Sequence, residues 1–294
     1  MDIKQLTTFQ EAAESLNLTQ TAKKLKYSQS NVTAQIKGLE QELGVPLFER
    51  LGKRIHLTDS GHTFKRYADQ MIATNREAKL ALHDDERSGT IIVGAQESQC
   101  TYRLMPILKS FKKAYPKVKV IFKPAHSDER ARQQIVNGAL DIAFIMDRSK
   151  PAAQLNTETL IEETLVLVAS PDHPLTENSH IFPNDLRDVT VLLTEKGCSY
   201  REILEQFIQP QGIEPNNQIE FVSIEAIKQC VMADLGIAIL PKMAVTRELY
   251  NGEMKALAWT PPIAPMYTHL AWHKDKRLTV PLQAFMNLTR AAFI

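Results

Sequence analysis

The 294-residue sequence has few cysteines and no long apolar run. Its three cysteines, Cys100, Cys198 and Cys230, are odd in number and far apart, which argues against a disulfide framework and suits a reducing compartment. No apolar stretch approaches the roughly 18 to 20 residues of a membrane span, and the start MDIKQLTTFQ lacks the basic and then apolar order of a secretory signal. These absences predict a cytoplasmic protein without membrane contact.

Sequence signatures of common enzymes are also missing. Lys53, in the segment LGKR, has no upstream glycine at the spacing of a phosphate-binding loop, and no GxGxxG follows a predicted strand. His269 and His273 have no carboxylate or cysteine that would complete a metal site. We therefore predict that the protein is not an enzyme and has no catalytic residues, no metal and no other cofactor.

The charge of the chain is balanced overall but not locally. There are 35 basic and 34 acidic side chains in total, yet the segment from Gln20 to Arg66 has nine lysines and arginines against four acidic residues. A local cationic excess is typical of a surface that binds phosphates. The chain is also long enough for two or three domains with sizeable cores.

The first 45 residues predict three short helices. Apolar residues recur at helical spacing over residues 3–16, and Thr19 and Ser28 are the predicted N-caps of a second and a third helix. The third helix has one apolar stripe with spacings of four, three and four residues, namely Val32, Ile36, Leu39 and Leu43.

The outer side of this third helix has the residue types that read base edges in a DNA major groove. The predicted contacts are Gln29, Ser30, Thr33, Ala34 and Lys37. For one helix alone, an ordinary solvated face is the alternative interpretation. A helix, a tight turn and a second helix with polar groups near its N-terminal half, however, form the helix-turn-helix arrangement.

The segment VPLFERLGKRIHLT predicts a two-stranded wing after the third helix. Leu47 and Phe48 precede a turn at Gly52, and Ile55 and Leu57 alternate after it. The basic residues of the wing are predicted to contact DNA phosphates, and a role in solubility is the alternative. These residues are Arg50, Lys53 and Arg54.

The order and spacing of these elements resemble the winged helix-turn-helix domain of the LysR-type transcriptional regulators. The resemblance covers residues 1 to about 87 and rests on TFQEAAESLNLTQTAKKLKYSQSNVTAQIKGLEQELGVPLFERLGKRIHLTDSG. It implies a sequence-specific, DNA-binding transcriptional regulator. The chain departs from the family pattern at Ala34, where many members have a basic or long residue. It also has Gly38 inside the recognition helix, where glycine costs up to about 1 kcal/mol relative to alanine.

Residues 60–87 predict a long linker helix. Thr58 is its predicted N-cap, no proline or glycine occurs from His62 to Ser88, and a series of mostly apolar positions alternates at four- and three-residue spacings. The positions are Phe64, Ala68, Met71, Asn75, Ala78 and Leu82, among which Asn75 is polar and could fix the register of a pair. Such a heptad seam predicts pairing with a second copy, as the resemblance also implies, giving a homodimer or homotetramer. Packing of the helix on its own domain is the alternative.

From residue 90 onward, short apolar runs alternate with helical patterns, which predicts a parallel-rich α/β layout. The runs that predict strands are 90–95, 118–122, 140–145, 164–170, 189–194, 236–240 and 268–272. The resemblance implies a two-lobed effector domain similar to periplasmic solute-binding proteins. The predicted fold is thus multidomain α + α/β. Its parts are a winged helix-turn-helix domain at 1–59, a linker helix at 60–87, a first lobe at 90–162 plus 267–294, and a second lobe at 163–266. Hinges are predicted near Glu163 and Met266.

Helix N-termini that follow strands predict a small-molecule effector pocket between the lobes. The predicted contacts are Gln96, Ser98, Thr101 and Ser127 in the first lobe, and Glu195, Cys198, Ser199, Arg201 and Phe221 in the second. Simple N-capping is the alternative role of the serines. Arg201 either clamps a carboxylate of the effector or pairs with Glu205.

Two alternatives to this function remain from the residues. The segment GCSYR resembles the loop that holds the reactive cysteine of peroxide-sensing family members, which would make Cys198 a thiol-based redox sensor. Those members have a second cysteine about nine residues on, where this chain has Phe207, Ile208 and Gln209. The other alternative is a solute-binding module without DNA affinity.

Overall fold

The computed structural model describes residues 1–51, 54–81, 88–125, 127–147, 153–213, 215, 217–260 and 265–293. With these gaps, the chain falls into two compact units. The N-terminal unit contains residues 1–81 and is grouped with residues 137–139, and the C-terminal unit contains residues 88–136 and 140–293. The predicted turn at Gly52 and the last seam position, Leu82, lie outside the described residues.

Three helices open the N-terminal unit: α1 (Ile3–Ser15), α2 (Leu18–Leu25) and α3 (Gln29–Leu43). Ser28 caps α3, so that prediction is confirmed. The prediction that Thr19 caps α2 is wrong. The cap is Asn17, whose Oδ1 accepts hydrogen bonds from the N–H groups of Thr19 and Gln20. Asparagine is among the best N-cap residues, so α2 begins before Thr19.

A wing and a long helix complete the N-terminal unit: β1 (Phe48–Leu51), β2 (Arg54–Leu57) and α4 (Asp59–Ala81). The two strands are antiparallel, with Phe48 opposite Leu57. Thr58 caps α4 as predicted, because its hydroxyl oxygen accepts a hydrogen bond of 3.0 Å from the Gly61 N–H. Gly61 has no room for a Cβ, which would lie 2.1 Å from the Leu47 carbonyl oxygen.

The core of this unit forms around Phe9, whose ring lies 5.5 Å from that of Phe48 and 5.1 Å from that of Phe64. Phe64, Ala68 and Met71 of α4 all pack into this core. They are the first three positions of the predicted seam. The prediction that the whole seam needs a second copy to bury it is therefore wrong for these positions, which pack on their own domain because α1 lies against them.

The C-terminal unit consists of strands and helices that mostly alternate. In chain order the strands are β3 (Gly89–Ala95), β4 (Val118–Pro124), β5 (Ile142–Asp147), β6 (Leu155–Glu163), β7 (Leu165–Ala169), β8 (Thr190–Thr194), β9 (Asn217–Phe221), β10 (Ala238–Pro241), β11 (Lys255–Leu257) and β12 (Met266–His273). The helices are α5 (Glu97–Tyr102), α6 (Leu104–Ala114), α7 (Asp128–Val136), α8 (Ser199–Ile208), α9 (Ile224–Met232), α10 (Lys242–Asn251) and α11 (Val280–Ala292).

The strands form two sheets with the same plan. The first has the order β4-β3-β5-β12-β6. In the second, β8 pairs with β9 and β7 lies between β10 and β11, and a bridge from Val191 to Ile237 joins the two groups. The order β9-β8-β10-β7-β11 thus repeats that of the first sheet.

The predicted parallel-rich layout is wrong in part. Within the C-terminal unit, four of the seven pairings between described strands are antiparallel, and all four involve β7 or β12. These are the strands by which the chain passes from one sheet to the other. Neither arrives through a crossover within its own sheet, which is the connection that a parallel pair requires.

The two passages between the sheets lie side by side. β6 ends at Glu163, β7 begins at Leu165, and Met266 at the start of β12 pairs with Glu163. The predicted hinges near Glu163 and Met266 fall at these passages. Among the described helices, none is long and apolar enough to cross a membrane.

Candidate functional site

The α3 surface, which we define as Gln29, Ser30, Thr33, Ala34 and Lys37, lies on one side of α3. Thr33 is half-buried and the other four residues are exposed. The opposite side holds Val32, Ile36 and Leu39, all buried in the core. The apolar stripe therefore fixes which side of α3 faces outward.

Hydrogen bonds hold the start of this surface in place. The Thr19 hydroxyl of α2 donates to Gln29 Oε1 at 3.1 Å, and the Thr33 hydroxyl donates to the Gln29 carbonyl oxygen at 2.9 Å. The first bond joins the two helices of the helix-turn-helix and orients the Gln29 amide. Arg50 is exposed on β1. Lys53 and the side chain of Arg54 lie outside the described residues.

A cavity of about 390 Å³ lies between the two sheets of the C-terminal unit. Its walls come from the last residues of β3, β4 and β8 and from the residues that follow β3, β4, β8 and β9, so both sheets contribute. The volume lies in the range of small-molecule sites. The predicted effector-binding residues that line it are Gln96, Glu195 and Cys198.

The other predicted effector-binding residues do not line this cavity: Ser98, Thr101, Ser127, Ser199, Arg201 and Phe221. Thr101 is exposed on α5, and Phe221 is the last residue of β9. Ser127 accepts a hydrogen bond from the Arg130 N–H at 3.3 Å, which is the capping role. Ser98, Ser199 and Arg201 are buried.

The Arg201 guanidinium is occupied within its own sheet. It pairs with Glu205 at 2.8 Å and Glu220 at 2.6 Å, and it donates to the Thr194 carbonyl oxygen at 3.0 Å. Burial alone would lower the pKa of Arg201, but the hydrogen bonds with the two carboxylates outweigh it and raise the pKa. The sequence allowed two roles for Arg201, a clamp on the effector and an ion pair with Glu205. The structure shows the ion pair.

Tyr200 connects the two sheets beneath the cavity. Its hydroxyl lies 2.6 Å from Ser98 Oγ and donates to Gln96 Oε1 at 2.8 Å. The ring is buried, and burial raises the pKa of Tyr200 well above its usual value, so the hydroxyl stays protonated. Gln96 Nε2 is also buried, and among the described residues it has no hydrogen-bond partner. A ligand oxygen in the cavity would satisfy this donor.

Asp128 and Ser199 form a second connection. The Ser199 hydroxyl lies 2.8 Å from Asp128 Oδ2 and 2.8 Å from the Met146 carbonyl oxygen, while Asp128 Oδ1 accepts from the Met146 N–H at 3.1 Å. Burial raises the pKa of Asp128 to about 6, although the hydrogen bonds from Ser199 and Met146 oppose the shift. This contact between α7 and α8 therefore titrates near pH 6.

A third connection crosses the rim of the cavity. Glu97 Oε2 accepts from the Ile224 N–H at 2.8 Å, and Glu97 Oε1 accepts from the Ser223 hydroxyl at 3.1 Å. Farther out on the same two helices, the Tyr102 hydroxyl donates to Glu225 and accepts from Lys228. Each connection joins α5, which follows β3, to α9, which follows β9.

Comparison with known proteins finds a matching family model for each of the two units. Residues 3–62 match the family model for the bacterial regulatory helix-turn-helix protein, lysR family, and residues 84–294 match the LysR substrate binding domain. The chain belongs to the LysR family. It is therefore a DNA-binding transcriptional regulator with an effector-binding domain.

Individual LysR-family relatives extend over the whole chain. The uncharacterized HTH-type transcriptional regulator YwqM of Bacillus subtilis (strain 168) is 53% identical over 294 residues, with both chains fully covered. Among solved structures, a full-length OxyR variant from Pseudomonas aeruginosa has 22% identity and a TM-score of 0.67, covering 99% of this chain and 98% of that one. Full-length CbnR complexed with its target DNA has 22% identity and a TM-score of 0.64, covering 99% and 100%. At these identities, the two structures show a common fold.

The cavity of this LysR-family regulator includes two thiols, and both are poorly suited to redox sensing. Burial raises the pKa of Cys198, although the Thr194 side chain and the N–H groups at the start of α8 oppose the shift. Burial and the nearby Glu97 carboxylate raise the pKa of Cys100 to about 11. A reactive cysteine needs its thiolate form, and both shifts favour the thiol. The redox-sensor alternative is not favoured.

Tyr200 lies one residue beyond Ser199, at the helix start that the sequence marked for the pocket, and it lines the cavity. Other residues of the cavity were not predicted. Phe122 and Lys123 line the cavity from the end of β4, and Val222 does so from the turn after β9. Nothing in their local pattern marks them, because they reach the cavity only when the sheets come together. Among the described residues, no cluster of three metal-binding side chains occurs.

Proposed function

We propose that this LysR-family regulator reads DNA through the α3 surface and binds its effector in the cavity between the two sheets. The observation that carries the proposal is the α3 surface itself, where Gln29 and Lys37 are exposed while Val32, Ile36 and Leu39 are buried. Short donors and acceptors on such a helix suit base edges in the major groove, and Arg50 on the wing suits phosphates.

Effector binding in the cavity is proposed to act through the hinges at Glu163 and Met266. The proposed lobes are the two ranges predicted from the sequence, residues 90–162 plus 267–294 and residues 163–266. An effector that binds one arrangement of the lobes better than another shifts the population toward it. A dimer or tetramer formed through the part of α4 beyond Met71 would pass this change to DNA half-sites. The regulator is proposed to act in the cytoplasm by binding alone, without catalysis.

Substitutions in the α3 surface and the wing test the assignment of roles. Genome-wide mapping of bound promoters supplies the operator, and fluorescence anisotropy then measures affinity for the operator and its single-base variants. Gln29→Ala or Thr33→Ala should cost about 1–3 kcal/mol on the operator and relax preference at particular base pairs. Arg50→Ala should weaken binding to all sequences alike and reduce the salt slope by about one.

Lys109→Ala, which removes an exposed charge from α6, is the matched control and should leave both properties unchanged. Equal losses on every sequence for all three test variants would contradict the assigned roles. Indifference of the wild-type protein to duplex DNA at low salt would contradict the proposed function itself.

A further inference from the structure

The N-terminus of α9 is capped by a side chain from the other side of the cavity. Ser223 is the N-cap residue of this nine-residue helix, but its side chain makes no capping bond within the helix. The Glu97 carboxylate accepts instead from both the Ile224 N–H and the Ser223 hydroxyl. All three residues line the cavity, so this end of α9 already holds a carboxylate within it.

The position of Glu97 allows its carboxylate to move away from the N-terminus of α9. Its side chain is exposed, and it is the first residue of α5, on the opposite wall from α9. Free N–H groups and the positive end of the helix dipole favour any anion at the start of α9, whether or not it belongs to the chain. A carboxylate from solution could therefore take the same two hydrogen bonds.

The neighbouring residue supplies an independent sign of a ligand. Gln96 is 8% exposed, and its Oε1 accepts from Tyr200, whereas its Nε2 has no partner among the described residues. A buried amide donor without a partner is costly, and it needs an acceptor oxygen from within the cavity. Phe122 and Val222 give the cavity apolar surface beside these polar groups.

We propose that the effector is a small organic acid whose carboxylate displaces Glu97 from Ser223 and Ile224. A second oxygen of the same molecule accepts from Gln96 Nε2, and its hydrocarbon part lies against Phe122 and Val222. Glu97 is then a tethered competitor that occupies the acid-binding position in the empty protein. Its displacement also breaks one of the connections between the walls, which couples binding to lobe movement. This inference rests on the proposed function of the cavity.

A tethered competitor leaves the site free in only a fraction of the molecules. The apparent affinity for the ligand equals the intrinsic affinity multiplied by this fraction. Removing the competitor should strengthen binding of a carboxylate on the order of tenfold. The probe is acetate, the smallest carboxylate with a methyl group, and acetamide is its neutral counterpart of the same shape. Titration of the full-length perdeuterated protein, followed by the Ile224 amide resonance, measures the acetate affinity at the site.

Glu97→Ala is the test variant and Glu225→Ala is the matched control. Glu225 also carries one negative charge at the start of α9 and also bonds across to α5, but it does not line the cavity. We expect Glu97→Ala to bind acetate at least about fivefold more tightly than either the wild type or Glu225→Ala, with no saturable response to acetamide.

Equal acetate affinity in Glu97→Ala and Glu225→Ala would overturn the inference, as would a response to acetamide or the lack of any saturable response to acetate. Any of these three outcomes would contradict the inference alone. The proposed function would still hold if a metabolite fraction alters operator binding by the wild type. Loss of any metabolite effect on operator binding, with the acetate result as expected, would instead contradict the effector role of the cavity.

Discussion

Asp128→Asn tests the contact between α7 and α8. The Ser199 hydroxyl lies at hydrogen-bond distance from both Asp128 Oδ2 and the Met146 carbonyl oxygen, yet it has one proton and donates to one of them at a time. When Asp128 is protonated, its own O–H donates to Ser199 Oγ, and Ser199 donates to Met146. With neutral Asp128, the Ser199 hydroxyl and the Met146 carbonyl oxygen therefore both have hydrogen-bond partners. Asparagine offers the same pattern at every pH, with its N–H in place of the carboxylic O–H.

The magnitude follows from the pKa. Burial raises the pKa of Asp128 from 3.8 to about 6, and each unit is worth about 1.4 kcal/mol, so the charged form costs about 3 kcal/mol of stability at neutral pH. Because the folded-state pKa lies above the unfolded-state value, the unfolded chain loses its proton first as pH rises. The cost is absent below about pH 4, grows between about pH 4 and 6, and is constant above.

We expect Asp128→Asn to raise the free energy of unfolding of the C-terminal unit by up to about 3 kcal/mol at pH 7.5 and to change it little near pH 4. Urea unfolding followed by tryptophan fluorescence reports on this unit, since both tryptophans, Trp259 and Trp272, belong to it. Glu129→Gln, at the exposed neighbouring position, is the control and should change stability by less than about 1 kcal/mol. A destabilised asparagine variant at pH 7.5, or a pH dependence identical to that of the wild type, would refute the reasoning.

Two further substitutions test the buried contacts. Glu163→Gln should lower the free energy of unfolding by about 3–5 kcal/mol, because it leaves the Arg103 charge without its buried partner. Glu158→Gln breaks the more exposed pair of the same sheet and should cost less than about 1 kcal/mol, so equal losses in urea unfolding would contradict this account. Tyr200→Phe should lower the free energy of unfolding by about 1–3 kcal/mol in the same assay, because Oε1 of the buried Gln96 side chain loses its hydrogen-bond donor. An unchanged midpoint would show that this bond adds no stability.

All the strands that the sequence patterns missed lie at the edge of a sheet. The apolar runs at β3, β4, β5, β7, β8, β10 and β12 all predicted strands. The missed strands, β6, β9 and β11, each pair on one side alone among the described strands. Edge strands expose alternate residues to water, so LNTETLIEE and NQIEF carry polar residues and lack an apolar run. A search for apolar runs therefore misses these strands, although it finds the edge strand β4, in which four of the five residues of VKVIF are apolar.

The site also has one part that a local sequence pattern predicts and one part that it does not. The α3 surface depends on one helix and its stripe, and Val32, Ile36 and Leu39 are buried as their spacing predicts. The cavity depends on two sheets meeting. Strand-to-helix junctions identify Gln96 and Glu195, but the partner of each group depends on packing that no local pattern encodes.

The arrangement of α5 makes it difficult for a ligand to bind without altering the lobes. Gln96, Glu97 and Ser98 are consecutive, and each is bonded to the opposite wall, two through Tyr200 and one through the start of α9. The first two also line the cavity. A ligand that turns the Gln96 amide or displaces Glu97 must therefore change the energy of the connections between the walls. The proposed effector binding and the proposed lobe movement would then depend on the same hydrogen bonds, which would give the ligand different affinities for different arrangements of the lobes.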